Sequence, residues 1–278
     1  MENKRKTRIV RKVLLLGIAV CLIKTGQIKY LSIEHRTQQN TLKKMTEDAG
    51  EGSEALRDTE EKETDLSVLT QKNGPQVQDE KEPVILARYA ALYEENNDLA
   101  GWLSIEGTEI DYPVMQCEDD EYYLHHDFYG EESKYGCLYV KEEADIDVGT
   151  NFIIYGHNMK DGSMFGELDL YEKESFYEGH PVILFDTLYE ERIYEIIAVF
   201  PSQVYNVEDD VFKYYQFYKA DNEAEFNDFY SNIRKLSLYD TGVEAVFGDT
   251  FLTLSTCAYH VEDGRFVIVA KRITDAGQ

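Results

Sequence analysis

The stretch FLTLSTC, Phe251–Cys257, is followed by the polar segment AYHVEDG and then by a second apolar run, RFVIVAK, residues 265–271. Two apolar runs separated by a short polar segment with a glycine indicate a strand, a turn and a second strand. Side chains alternate along a strand, so Cys257 shares a face with Phe251, Thr253 and Ser255. The sequence therefore predicts a cysteine at the end of a strand, where its side chain can reach a groove.

The rest of the second half of the chain also favours β-structure. With 278 residues, 43% of them hydrophobic, the chain is long enough for one or two domains with a sizeable core. Its 21 tyrosines suit strands, in which aromatic residues are enriched. Further short apolar runs predict strands at residues 138–141, 151–155, 182–186, 193–200, 251–256 and 266–271, and IEGTEIDYPV alternates around a turn. We therefore expect a single β-barrel-like domain.

Two segments have helical spacing instead. Near the start of this domain, Leu86, Tyr89, Leu92 and Tyr93 recur at helical intervals, and Pro83 suits the first turn of that helix. The second helix is expected in a long insertion between the strands, residues 201–250, where Asn222 and Glu225 have the spacing of a capping box. One face of that helix carries Phe226, Phe229, Tyr230, Ile233 and Leu236.

The charge of the chain is strongly negative and unevenly distributed. The formal net charge is −26, and residues 83–278 contain 13 Lys and Arg against 40 Asp and Glu. A surface this acidic repels phosphate backbones, so nucleic-acid binding is not expected. The acid excess serves solubility in the simplest interpretation. Calcium binding is the alternative, but the chain shows no EF-hand loop or other spaced acidic ligand motif.

The N-terminal region predicts export. Six basic residues within residues 1–12 precede an apolar run, Val13–Ile23. We interpret residues 1–33 as a basic cytoplasmic tail with a signal-anchor, and a cleaved signal peptide as the alternative. Basic residues stay inside, so both interpretations place the remainder outside the membrane. Residues 34–82 are predicted to form an acidic linker, or alternatively a helical stalk, and residues 83–278 to form the folded domain.

The cysteines leave one thiol without an obvious partner. Cys21 lies in the apolar N-terminal run, and no pair has the C-x-x-C spacing of a zinc or thioredoxin-like site. A bridge between Cys117 and Cys137 is conceivable, although two ordinary buried thiols are the preferred interpretation. In either case Cys257 is unpaired, which makes it a candidate nucleophile.

A cysteine nucleophile needs a nearby base or cation. His157 ends the run NFIIYGHNM and could meet Cys257 at one edge of a barrel, but spacing alone does not choose it over the other histidines, His35, His125, His126, His180 and His260. Arg265 opens the strand after Cys257 and could hold an oxyanion or the substrate backbone. The alternative for Arg265 is a surface ion pair with Glu262 or Asp263.

Three motifs in this order resemble the sortases, the cysteine transpeptidases of Gram-positive cell surfaces. They are TLSTC, YGHNM and the arginine of GRFVIVAKR, and the resemblance covers about residues 82–278. NNDLAGWLSIEGTEIDYPVMQ, YYLHHDFYG and the helix-bearing insertion before the cysteine strand resemble the class B subgroup. The fold that this implies is mainly β, a closed eight-stranded sortase-type barrel with N-terminal helices.

The resemblance implies a role for each residue that matches the motifs. Cys257 is expected to be the nucleophile, His157 the general acid and base, and Arg265 the oxyanion or substrate clamp, with Arg272 at the far end of the strand as a fallback. Ser255 shares the face of Cys257 and is expected to line the substrate groove, while Tyr155 is expected to be a core residue. No metal or organic cofactor is implied.

The implied reaction cleaves a C-terminal sorting motif of surface proteins at its threonine. The acyl group is then transferred to an amine of the peptidoglycan cross-bridge or its lipid-linked precursor, by an enzyme anchored in the cell membrane with its catalytic domain outside. Two alternatives remain at the level of sequence. One is a secreted cysteine peptidase or acyl hydrolase that uses water and the same residues. The other is a non-enzymatic surface binding module in which Cys257 is an ordinary core thiol.

Overall fold

The computed structural model describes residues 23–50, 83–258 and 263–274 of the chain. The chain divides into two compact units, residues 1–45 and residues 46–278. A long helix, α1, covers residues 23–50 and so includes the first part of the predicted linker. Nearly all of the predicted anchor run, and residues 51–82 of the linker, lie outside the described residues. None of the helices in the described ranges combines the length and the apolar character needed to cross a membrane.

The second unit contains a closed barrel of eight strands, as predicted. The order around the barrel is β1-β2-β3-β4-β7-β8-β6-β5, and β1 pairs with β5 to close it. The strands are β1 Leu99–Ser104, β2 Asp111–Met115, β3 Leu138–Val140, β4 Asn151–Gly156, β5 Val182–Thr187, β6 Glu191–Gln203, β7 Phe251–Cys257 and β8 Gly264–Ile273. Most pairs are antiparallel, but β2 with β3 and β4 with β7 are parallel.

Most of the predicted strands were confirmed to within one or two residues, but β6 was not. The predicted strand at residues 193–200 is part of a longer strand, Glu191–Gln203, which reaches across both β5 and β8. Pro201 was expected to begin the insertion, and instead it pairs with Phe266 inside the ladder. The extra length of β6 carries the chain to the end of the barrel where β7 stops and β8 begins.

Alternation along β4 and β7 separates an inner face from an outer face. Phe152 packs against Phe185 and Tyr194 of other strands inside the barrel. Phe251 packs outside, against Phe226 and Phe229 of the insertion. Because side chains alternate, the residues of β7 that share the outer face with Phe251 are Thr253, Ser255 and Cys257.

The insertion forms a cover over this outer face. Its helix α5, Glu223–Leu236, begins at Asn222, whose side-chain oxygen accepts hydrogen bonds from the backbone N–H groups of Ala224 and Glu225. The predicted cap is therefore confirmed, although the Glu225 carboxylate accepts from the backbone N–H of Asp221 and the side-chain amide of Asn222 rather than from the backbone N–H of Asn222. The residues of α5 buried on the barrel are Phe226, Phe229 and Ile233. Leu236, predicted on the same face, is 43% exposed.

The remaining helices are short. They are α2 Ala87–Glu95, α3 Tyr122–His125 and α4 Glu174–Gly179, with single 3₁₀ turns at Leu168–Glu172 and Tyr214–Gln216. The prediction that Pro83 lies in the first turn of α2 is wrong. Leu86 is extended and donates its N–H to the carbonyl of Leu188 at 2.7 Å, so the helix cannot begin before Ala87.

Removal of the Phe226 side chain from α5 should destabilise the protein strongly. Phe226 is fully buried between α5 and β7, and we expect Phe226→Ala to lower the free energy of unfolding by about 3–5 kcal/mol, because it leaves a cavity. The measurement is urea denaturation of the full chain. Leu236→Ala, at an exposed position of the same helix, is the matched control and should cost far less. Equal losses for the two variants would contradict the proposed packing.

Candidate active site

Strand register brings the three predicted catalytic residues to one end of the barrel. Strands β4 and β7 are parallel and in register up to the pair Gly156 and Thr256, so His157 and Cys257 follow side by side. On the other side of β7, Cys257 pairs directly with Arg265. Neighbouring strands lie about 4.8 Å apart, and paired residues point to the same face. The three side chains therefore share the outer face on adjacent strands.

The exposure of these residues suits a reaction at the surface. Cys257 is exposed, whereas the six residues of β7 that precede it are buried. His157 and Arg265 are half-buried. The cover provided by the insertion therefore ends where the cysteine begins, and the thiol is open to a substrate.

A backbone carbonyl orients the His157 ring. Its Nε2 lies 2.8 Å from the carbonyl oxygen of Leu124, in the short helix α3. A carbonyl oxygen only accepts hydrogen bonds, so Nε2 carries the hydrogen and donates it. This leaves Nδ1 as the nitrogen available for proton exchange. This partner was not predicted from the sequence, although Leu124 lies in the YYLHHDFYG segment that resembles class B.

The main chain around His157 and Cys257 is also tied down. The His157 carbonyl accepts from the N–H of Phe165 at 2.9 Å, which closes the turn after β4. The Asn158 side-chain amide donates to the Cys257 carbonyl at 2.9 Å and to the Asp169 carboxylate at 2.9 Å. Ala258 donates to the Gly264 carbonyl and so fixes the start of the turn between β7 and β8. Asn158 was in the quoted YGHNM motif but was not predicted to contribute.

Two backbone carbonyls hold the Arg265 side chain. Its Nη1 donates to the carbonyl of Gly264 at 2.9 Å and to that of Asp263 at 3.3 Å. Within the described part of the chain it forms no ion pair with a carboxylate, and Glu262, one of the two partners considered, lies outside that part. Arg272, the fallback, is engaged elsewhere: it donates to the Glu190 carboxylate at 2.7 Å.

Ser255 is located under the cover. It is 1% exposed, and its hydroxyl lies 2.7 Å from the hydroxyl of Tyr214 in the insertion. Burial raises the pKa of Tyr214 to about 12, although the hydrogen bond with Ser255 and the charge of Arg265 act in the opposite direction. Ser255 thus lies on the predicted face, two residues from Cys257, and its predicted contact with substrate stays a prediction.

Two stacked tyrosines continue the outer face beside Cys257. The rings of Tyr139 on β3 and Tyr155 on β4 lie 5.5 Å apart. Burial raises the pKa of Tyr139 to about 12, the charge of Asp120 adds to this, and the charge of Arg265 lowers it. Tyr155 was expected in the core, but it is half-buried on the outer face. Both phenols therefore stay neutral at physiological pH, and the surface that they form is aromatic and uncharged.

Two of the other candidate histidines, His126 and His180, have partners in the helices that they directly follow. His126 stacks on Tyr122 and its Nδ1 contacts the Tyr122 carbonyl at 2.8 Å. His180 stacks on Phe176 and its Nδ1 contacts the Phe176 carbonyl at 2.9 Å. His260 lies outside the described residues. Among the candidates that the structure describes, the strand register favours His157.

The cysteines form no disulfide in the described chain, as the preferred interpretation held, but only Cys137 is buried as predicted and Cys117 is half-buried. Cys117, Cys137 and Cys257 are all free thiols. Burial raises the pKa of Cys137 well above its usual range, and burial also raises that of Cys117, despite its hydrogen bond to the Asp119 carbonyl. Of the three, only Cys257 is exposed.

A separate cavity of about 600 Å³, lined in part by Cys117, lies away from the predicted catalytic residues. It is bounded by the ends of β1, β2 and β5 and by the loop after β3, and its carboxylates come from Asp98, Glu142, Glu143, Asp145 and Asp147. It includes none of Cys257, His157 and Arg265, so the exposed thiol and this cavity are distinct features.

Comparison with known proteins agrees with this architecture. A family model described as the sortase domain matches residues 103–273. Sortase B of Listeria monocytogenes is 35% identical over 191 residues, which cover 66% of this chain and 73% of that protein. Sortase B of Staphylococcus aureus is 30% identical over 189 residues, covering 67% and 75%.

Solved structures give the same result. The crystal structure of sortase B from Bacillus anthracis superposes with a TM-score of 0.61 at 32% identity, covering 70% of this chain and 88% of that one. The structure of sortase B from Clostridium perfringens gives a TM-score of 0.60 at 30% identity, covering 66% and 98%. The chain therefore belongs to the sortase family, whose members are cysteine transpeptidases. Its predicted place in class B is confirmed by these relatives.

Alkylation should distinguish the exposed thiol from the others. The thiolate is the reactive form, so a raised pKa means less reaction at a given pH. With iodoacetamide near pH 7, we expect Cys257 to be modified first, Cys117 to follow as the pH is raised, and Cys137 to react only after unfolding. Peptide mapping by mass spectrometry identifies each site. Modification of Cys137 before Cys257 in the folded protein would contradict the assignment.

The contact between Tyr214 and Ser255 can be measured by a double-mutant cycle. Either Tyr214→Phe or Ser255→Ala leaves a buried hydroxyl without its partner, and we expect each to destabilise the protein by about 1–3 kcal/mol. The double variant should be less destabilised than the two single changes together, since both hydroxyls are then absent. Chemical denaturation of the four proteins is the measurement. Additive losses would show that the two hydroxyls are not coupled.

Proposed function

We propose that this class B sortase cleaves a C-terminal sorting motif of surface proteins at its threonine. The acyl group then passes to an amine of the peptidoglycan cross-bridge or its lipid-linked precursor. The observation that carries the proposal is the strand register, which aligns His157, Cys257 and Arg265 on one face at an open end of the barrel. Family membership supports the transpeptidase reaction, and the motif and the acceptor are the proposed parts.

In the first half of the reaction, the Cys257 sulfur attacks the threonine carbonyl carbon of the motif. The carbon–sulfur bond forms, and the carbonyl electrons move onto the oxygen, where Arg265 donates hydrogen bonds to the developing negative charge. Collapse of this intermediate breaks the peptide bond. His157 takes the thiol proton of Cys257 onto Nδ1 when the attacking thiolate forms, and it gives that proton to the leaving amine through the same nitrogen, because its Nε2 hydrogen is held by Leu124. A thioester to Cys257 remains.

In the second half, the acceptor amine attacks the thioester. His157 takes a proton from the amine, an amide bond forms, and the carbon–sulfur bond breaks to return the Cys257 thiolate. Water attacking the same thioester would give hydrolysis instead. The two outcomes differ only in the nucleophile, so the alternative of a secreted hydrolase uses the same residues.

We also propose that the enzyme acts at the outer surface of the cell membrane. The support comes from sequence: the basic cluster in residues 1–12 and the apolar run Val13–Ile23 have the order of a signal-anchor. The acidic segment before residue 83 would then separate the barrel from the lipid surface. Its proposed partners are surface proteins that carry the sorting motif.

The function is tested by incubating the full chain with a library of short sorting-motif peptides, with and without an added amine such as triglycine. We expect an amide product that incorporates the amine, and a covalent peptide adduct of defined mass on Cys257. Cys257→Ala should abolish both, whereas Cys117→Ala is the control and should retain them. Arg265→Ala should lower kcat by about 10²–10³, the loss typical of an oxyanion donor.

The reaction products distinguish a transpeptidase from a hydrolase. Amine in the product supports transfer, whereas a carboxylic acid product that is unchanged by added amine would show a hydrolase. Peptide cleavage that persists in Cys257→Ala would show that the thiol is not the nucleophile.

A further inference from the structure

We propose that Asn158 is a positioning residue of the active site, which fixes the Cys257 end of β7 against the His157 end of β4. The inference rests on the proposed function of Cys257 and His157. It concerns a residue that follows His157 directly in sequence and that contacts the main chain of Cys257.

Main-chain pairing between β4 and β7 ends one residue before the predicted catalytic pair. The last register pair between β4 and β7 is Gly156 with Thr256, one residue before His157 and Cys257. Neither of those two residues is therefore aligned by a pair of its own between the two strands. On its other side Cys257 is paired with Arg265, so β8 fixes Cys257 relative to the arginine but not relative to the histidine.

A side-chain hydrogen bond takes the place of main-chain pairing at this point. The Asn158 side-chain amide donates to the Cys257 carbonyl at 2.9 Å, across the gap between the two strand ends. A side-chain hydrogen bond thus extends the link between β4 and β7 by one residue. It acts on the backbone of Cys257, so it leaves the thiol free.

The Asn158 side chain is itself held by a second hydrogen bond. A primary amide has two N–H donors, and the second one donates to the Asp169 carboxylate at 2.9 Å. Asp169 belongs to the 3₁₀ turn Leu168–Glu172, and that turn follows the loop closed by the bond from Phe165 to the His157 carbonyl. Both amide donors are therefore used, and they connect three segments: the end of β4, the end of β7 and the 3₁₀ turn.

The position requires a side chain with two N–H donors, and the Asn158 amide supplies both. An aspartate at position 158 would place a carboxylate, which only accepts hydrogen bonds, against the Cys257 carbonyl and the Asp169 carboxylate. A leucine of similar size would have no N–H to donate to either group. The position therefore depends on the hydrogen-bond donors of Asn158 rather than on the size of its side chain. The consequence for catalysis is geometric, because a displacement of about 1 Å between reacting groups can cost a hundredfold in rate.

The test uses the full chain and the peptide-transfer assay, with three variants and one control. Asn158→Leu removes both donors without adding charge. Asp169→Ala removes only the outer anchor. The double variant Asn158→Asp with Asp169→Asn keeps the net charge and restores a bond between positions 158 and 169, but leaves the Cys257 carbonyl without its donor. The control is Asn232→Leu, which removes a half-buried asparagine on α5 that bonds within its own helix.

We expect N158L to lower kcat by about ten- to a hundredfold relative to N232L, with KM nearly unchanged. The pH dependence of iodoacetamide reaction at Cys257 should also shift, since the distance between thiol and imidazole changes. The double variant should recover thermal stability but not kcat. Asp169 is exposed, so D169A should fold, and we expect it to lower kcat by about two- to fivefold. If N158L fails to fold, the kcat of D169A becomes the test of the positioning role.

Two results would overturn the inference. One is an N158L protein whose kcat and alkylation profile equal those of N232L. The other is recovery of kcat together with stability in the double variant, because the bond to the Cys257 carbonyl would then have no catalytic effect. The alkylation arm also separates this inference from the proposed function. If the wild-type chain transfers no peptide but the alkylation profile still differs between N158L and N232L, the function fails and the positioning role stands.

Discussion

The parallel, in-register pairing of β4 with β7 is the constraint on which the rest of the site depends. Parallel neighbours cannot be joined by a tight turn, so residues 157–250 form a long connection that carries β5, β6 and the insertion. A slip of one residue would move the side chains of β7 to the opposite face. Two buried contacts oppose such a slip: Thr253 donates to Asn151, and Thr256 donates to the Gly156 carbonyl, both at 2.8 Å.

The same connection also decides what is exposed on the outer face. The aromatic side chains of α5 cover Phe251, and the Tyr214 hydroxyl is hydrogen-bonded to that of Ser255. The residues of β7 are therefore buried from solvent as far as Thr256. Cys257 is the first residue beyond this cover. A nucleophile there is placed by a rigid strand and still faces solvent, which combines precise orientation with access for a peptide.

Much of this could be predicted from the sequence, because the relevant signals are local. Helix α5 was predicted from its cap at Asn222 and its apolar spacing, and β7 from its alternation. The strand signals predicted a barrel-like domain, whereas its eight closed strands and the proposed roles of three site residues came from motif resemblance. The partners of these residues could not be predicted in this way. The contacts of His157 with Leu124, of Ser255 with Tyr214 and of Asn158 with Cys257 join positions 33, 41 and 99 residues apart. Such contacts depend on the closed barrel, which no local pattern encodes.

The acidity of the domain explains why short distances matter so much in this site. With 13 basic and 40 acidic residues in residues 83–278, the field of the whole domain opposes negative charge on sulfur. Salt screens that field beyond about 8 Å at physiological ionic strength, whereas groups one strand away are screened far less. Groups that are to act on the Cys257 sulfur in the proposed reaction therefore have to lie within about one strand spacing of it. Strand register, rather than net charge, sets how close His157 and Arg265 lie to Cys257.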